Sequence, residues 1–180
     1  FFNTKNKRGT KQGKNAAVDV WVGTNMMTEP AKSLLECVQD GIRYLKQERF
    51  DEALREFKQR NPDENSLISY GIATTFFRKA EKEGSLDLTV VNGVIRLYEK
   101  SLEQRDGDSS TYFMAAHAYA RRAAFLAAAH KPLPEVVAAL TKARDYFETS
   151  CRISPHFRDL CAGLIQQLEE KIEQAKPNYS

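Results

Sequence analysis

Long apolar runs are absent from this chain. Nowhere do about 18 apolar residues follow one another, so no membrane-spanning helix is expected. Cysteine is scarce. Cys37, Cys151 and Cys161 are odd in number and far from any zinc-ligand spacing, and they read as reduced thiols packed in helices of an intracellular protein. The three histidines, His117, His130 and His156, are scattered, and no metal site is expected from them. The motifs G-x-S-x-G, the phosphate-binding P-loop, H-E-x-x-H and C-x-x-C do not occur. Asp106-Gly107-Asp108 begins like a calcium loop, but the sixth position is Thr111 rather than Gly and the twelfth is His117 rather than Glu. It reads as a helix-capping turn. The expectation is a protein with no catalytic residue, no metal and no cofactor, and not an enzyme.

What is present suits a helical domain. The chain has 180 residues, 42% of them hydrophobic, enough for one sizeable core. Nine glycines and six prolines, set among long polar–apolar periodicity, favour helices over a sheet. The chain begins at Phe1 rather than Met, as a trimmed or processed chain would, so a targeting peptide is not judged from it.

The net charge of +3 is unevenly placed. Residues 1–28 hold five basic residues, Lys5, Lys7, Arg8, Lys11 and Lys14, against Asp19 alone, and the remainder is near neutral at −1. Residues 1–29 are therefore expected to form a basic, extended arm. Its first part is too polar to fold by itself. Val18–Gly23 is β-branched and apolar around Trp21, and it suits a short extended or docking segment. The domain is expected over residues 30–176, with a tail at 177–180.

Thr28 and Pro30 look like a helix start. From there the apolar spacing predicts seven helices, at about 31–47, 50–60, 65–83, 88–104, 109–129, 134–153 and 155–176. Pro62 is expected to stop the second, Gly84 the third, and Pro155 to begin the last. Ser85 or Asp87 would cap the fourth helix and Asp108 or Ser109 the fifth. The last helix carries one apolar stripe: Phe157, Leu160, Cys161, Leu164, Ile165, Leu168 and Ile172.

Three segments share one pattern. Ala53, Val94 and Ala143 are each followed four residues on by an aromatic, Phe57, Tyr98 and Phe147. Three residues further come Arg60, Ser101 and Ser150. Upstream, Gly41/Tyr44 is matched by Ala73/Phe76 and Ala116/Tyr119. Small residues would let paired helices approach, and the aromatics would fill the space beside them. With Gly41-x-x-Tyr44, Ala53-x-x-x-Phe57 and Pro62, the chain resembles the tetratricopeptide repeat family over about residues 34–176. It departs from that pattern at Cys37, where tryptophan is usual, and at Asp40, where leucine is. The second and third units also carry insertions, which imply longer helices and turns.

The resemblance implies an all-α, right-handed α-solenoid of about three helix hairpins plus a C-terminal capping helix. It also implies that the first helix of each hairpin lines a groove. Carried over by position, the groove would hold Leu35, Val38, Ile42, Leu45 and Lys46 from the first unit. Leu67, Tyr70, Thr74, Phe77 and Arg78 would come from the second, and Ser110, Phe113, His117, Ala120 and Arg121 from the third. The last position is basic each time. Such a groove would take an amphipathic helix or an extended peptide with acidic flanks. The same apolar residues would also serve to pack neighbouring helices, and the basic ones to meet solvent. A chaperone-tail clamp is disfavoured, because its asparagine would stand where this chain has Ile42 and Thr74.

The implied role is a non-enzymatic scaffold or adaptor subunit of a larger assembly, anchored in part by its arm. The alternative is an RNA-binding or ribosome-associated subunit, whose arm neutralises phosphates.

Overall fold

The computed structural model describes residues 32–105 and 108–175. The basic arm with Lys5, Lys7, Arg8, Lys11, Lys14 and Trp21, the Val18–Gly23 segment, Thr28, Pro30, and residues 177–180 lie outside them. Within the described residues the chain is all-helical, with no strand.

Helix α1 (Leu34–Lys46) starts later than the sequence suggested, because Ser33 caps it. The Ser33 hydroxyl accepts from the Glu36 amide at 3.2 Å, and Glu36 accepts from the Ser33 amide at 2.7 Å, a reciprocal capping box. Helix α2 (Phe50–Phe57) is short and ends before the expected Arg60. Its chain is turned out of the helix several residues ahead of Pro62. Helices α3 (Ser66–Glu83) and α4 (Leu88–Gln104) are separated by Gly84, whose φ of 66° is the left-handed conformation that ends a helix at little cost to glycine. Asp87, not Ser85, caps α4, accepting from the Val90 amide at 2.8 Å. Asp108 likewise caps α5 (Ser109–Ala128), accepting from the Ser110 amide at 3.1 Å. Helix α6 (Leu133–Ile153) has a proline in its first turn, where the missing N–H costs nothing. Pro155 belongs to a separate 3-10 turn, Pro155–Phe157, and helix α7 (Arg158–Ala175) follows it.

Each helix packs against the next in sequence, and α1 also meets α3, and α3 meets α5. The odd-numbered helices α1, α3 and α5 therefore lie side by side. The later helices are longer: α3 to α6 have 17 to 21 residues against 13 and 8 in α1 and α2.

The repeated small-x3-aromatic set forms the core. Ala53, Val94 and Ala143 are 0–2% exposed, and Phe57, Tyr98 and Phe147 are 0–1% exposed. Phe57 centres one cluster with Val38, Leu45, Ile68 and Ile72. Tyr98 and Phe147 belong to a second, closed at the far end by Cys161, Leu168 and Ile172 of α7. Leu160 departs from the expected stripe. It is 56% exposed, because the other apolar residues of α7 are enough to set its inward face.

A second correspondence is polar. The Ser101 hydroxyl donates to the Ser66 carbonyl at 2.9 Å, and the Ser150 hydroxyl donates to the Ser109 carbonyl at 2.8 Å. Ser66 and Ser109 are the first residues of α3 and α5. Each bond ties the late part of a second helix to the start of the helix before it. Arg60 does related work in the first pair, donating to the Lys32 carbonyl ahead of α1.

Candidate functional site

Packing α1, α3 and α5 side by side leaves a depression of about 680 Å³ across them. From α1 it is lined by Ile42, Leu45 and Lys46; from α3 by Tyr70, Thr74, Phe77, Arg78 and Glu81; from α5 by Phe113, Met114, His117 and Arg121. The volume lies within the range of ordinary binding clefts. Five of the residues named from sequence do not line it: Leu35, Val38, Leu67, Ser110 and Ala120. Val38 is 6% exposed in the Phe57 cluster, and Leu35 stands 64% exposed outside the depression.

The lining is graded from packed to open. Phe77 is 3% exposed and Thr74 5% exposed, so both belong to the body of the domain and support the floor from beneath. Tyr70, Phe113 and His117 are half-buried, and Ile42 is 36% exposed. With the half-buried Met114 and the charges at the edge, these are the side chains a ligand could touch.

The floor is held in place by matched aromatic contacts. Tyr70 meets Tyr98 with ring centroids 6.0 Å apart, and Phe113 meets Phe147 at 5.5 Å. In each pair the partner is the buried aromatic of the following helix. Thr74 and Tyr98 share a buried hydroxyl hydrogen bond of 3.1 Å. At the corresponding place on α5, His117 packs edge-on against Phe147 at 5.0 Å and against Phe113 at 4.7 Å. Burial pushes the Tyr70 and Tyr98 phenols up, so both remain neutral hydrogen-bonding groups. Burial also pushes the His117 imidazole below its ordinary value; Glu81 works against this and Arg121 adds to it.

Charges stand at the rim. Arg121 pairs with Glu81 at 3.0 Å, with side chains 59% and 35% exposed. Arg78 pairs with Glu48 at 3.6 Å, with side chains 42% and 47% exposed. Glu48 sits in the α1–α2 turn with a left-handed φ of 57° and is also paired with Lys82. Lys46 is exposed and has no ion-pair partner among the described residues. The basic positions therefore alternate with acids. The acids escaped the sequence reading, although Glu81 lies one helical turn from Arg78 and so shares its face.

Other chemistry is not assembled here. Among the described residues, no three His, Cys, Asp or Glu side chains converge to hold a metal ion, and no helix is long and apolar enough to cross a membrane. His130 and His156 are exposed and apart from the depression. No protein-family model matches the chain, and no curated protein matches it.

Proposed function

We propose that this protein is a non-enzymatic interaction scaffold, an adaptor subunit that holds a helix or extended segment of a partner protein in the depression across α1, α3 and α5. Its architecture is read as a tetratricopeptide-like, right-handed α-solenoid of three hairpins, α1–α2, α3–α4 and α5–α6, capped by α7. The equivalent serine bonds and the matched Tyr70–Tyr98 and Phe113–Phe147 contacts support that reading. The setting is read as intracellular.

The observation that carries the functional reading is the composition of the depression: an aromatic and aliphatic floor with charged side chains confined to its edge. Apolar floor area supplies affinity once water is expelled, and rim charges select and orient the partner. Lys46, Arg78 and Arg121 outnumber Glu81 along the lining, which favours a segment with acidic flanks. The rim pairs are exposed and contribute little to stability, so a partner carboxylate can replace the acid in either.

The test uses the partner co-purified with the chain from its source cells. Ile42→Asp places a charge on the exposed part of the floor and should weaken binding by about tenfold or more. An unchanged Kd sinks this reading.

A second reading rests on charge placement: five basic residues and one acidic residue lie within residues 1–28. Here the arm neutralises RNA phosphates in a ribonucleoprotein subunit, with an affinity that falls steeply with salt. Replacing the five basic residues by Gln separates the two readings. It abolishes salt-dependent RNA binding if the arm acts on RNA, and leaves Ile42-dependent partner binding in place.

A further inference from the structure

The Arg121–Glu81 ion pair belongs to two hollows. One is the depression across α1, α3 and α5. The other lies beyond it, a hollow of about 460 Å³ between the α3–α4 connection and the end of α5. It exists because the two helices end at different levels. Helix α3 stops two residues after Glu81, at Glu83, whereas α5 runs seven residues past Arg121, to Ala128. The overhanging end of α5 presents Phe125 and Ala128 toward Leu86 of the connection. Gly84 leaves open space at this end, with nothing within 4 Å of its β-carbon position. Leu86 and Phe125 are half-buried and Ala128 is exposed, so the hollow has an apolar floor that solvent reaches.

Glu81 and Arg121 line both hollows, and their ion pair therefore stands between two apolar floors. Arg121 Nε and Nη2 both donate to the same Glu81 oxygen, Oε1, at 3.2 and 3.0 Å. A guanidinium carries five N–H donors, so Glu81 engages only part of what Arg121 offers.

We infer that the two hollows form one trough, and that it receives an extended peptide segment with a carboxylate between two apolar side chains, the carboxylate resting on Arg121. This rests on the reading of the first depression as a partner site and adds to it a register. One apolar side chain enters the depression that Ile42 lines, and the other enters the hollow between Leu86 and Phe125. Charge selects the acid in the middle: Lys46, Arg78 and Arg121 stand against Glu81 alone along the combined lining. Length fits an extended chain. From Phe113 to Ala128 the trough follows α5 for about 22 Å at a rise of about 1.5 Å per residue, which about seven extended residues span. A helix, about 10 Å across with its side chains, would ride on the ion pair and clear both floors. An extended chain sends single side chains down at alternate positions and passes over the pair between them.

The full chain is panned against phage-displayed random dodecapeptides, and enriched sequences are made as synthetic peptides for fluorescence polarisation. They should share one Asp or Glu with a large apolar residue on each side. Ala128→Glu, at an exposed position of the second hollow, should weaken binding by about fivefold or more, and so should Ile42→Asp in the first. Changing the peptide's acid to its amide should weaken binding to the wild type and leave binding to Arg121→Gln unchanged. Binding that is lost in Ile42→Asp but keeps its Kd in Ala128→Glu overturns the inference and leaves the role of the first depression standing. Binding indifferent to both substitutions overturns the inference and that role together. An acid-to-amide loss of equal size in the wild type and in Arg121→Gln places the carboxylate elsewhere and overturns the inference, as does a panning that enriches no sequence.

Discussion

The ring of Phe57 lies so close to Gly41 that a β-carbon at position 41 would stand 2.6 Å from its Cε1 and Cζ atoms. Gly71 on α3 meets the same edge of the ring, with a β-carbon position 2.4 Å away. Phe57 is 0% exposed, so the ring cannot swing into solvent to make room. These two glycines set how closely α1 and α3 approach α2. Gly41→Ala and Gly71→Ala should each destabilise the domain by about 1–3 kcal/mol through overpacking. Helix propensity alone predicts the opposite sign. Gly93 supplies that control: it is exposed on α4 with nothing within 4 Å of its β-carbon position, and Gly93→Ala should stabilise by about 0.5–1 kcal/mol. Urea melts of the three variants measure all three signs.

Ser101 and Ser150 are 2% and 0% exposed, and each binds the carbonyl that opens the preceding helix. Alanine at either position leaves that carbonyl without its partner and should cost about 1–2 kcal/mol. The two bonds belong to different hairpins and share no partner, so the double variant should lose the sum to within about 0.5 kcal/mol. Chemical denaturation of the singles and the double reads this directly.

The helices were legible because their signals are local. Asp87, Asp108 and Gly84 act within one turn of where they stand, and apolar spacing placed most boundaries within a residue or two; Ser33 acts as locally but was passed over for Thr28. The buried aromatics Phe57, Tyr98 and Phe147 were legible for a related reason: a small residue four positions earlier marks each one. The second glycine was not. Gly71 on α3 meets Phe57 on the neighbouring α2, and alignment by repeat matches Gly41 to Ala73 instead. Leu160 shows a limit of another kind, since periodicity gives an apolar stripe without saying which edge of it faces water. At the depression, the position-by-position reading brought together residues from three helices. It could not rank Phe77 below Ile42, because exposure depends on what lies beneath the floor.

That ranking has a measurable form. Phe77→Ala should cost about 3–5 kcal/mol of stability, as expected for a large core truncation. Ile42→Ala, at a side chain 36% exposed, should cost about 1 kcal/mol or less. Thermal melts separate them, and near-equal losses would mean that Ile42 is packed as deeply as Phe77.

His117 should make stability depend on pH. Its folded-state value lies below its ordinary value near 6.5, chiefly through burial. Below about pH 6.5 the unfolded chain therefore binds a proton that the folded chain resists. The contribution of His117 is complete above that pH. It is lost as pH falls from the unfolded value to the depressed folded one. Glu81 and Arg121 face the same imidazole with opposing effects. His117→Phe should flatten the slope of stability against pH in that window, measured by denaturant titration between pH 5 and 8. A slope equal to that of the wild type would assign the pH dependence to other groups.

The central claim is that the depression across α1, α3 and α5 receives a partner segment. A photoactivatable residue at position 42 or 46 tests it most directly, with position 166 on the exposed face of α7 as the reference. In the assembled complex, positions 42 and 46 should crosslink to one continuous segment of one partner, apolar with acidic flanks, and Ile42→Asp should abolish the crosslink from position 46. Crosslinking from position 166 that equals or exceeds that from position 42, or products from 42 and 46 that fall on unrelated sequences, would contradict the account.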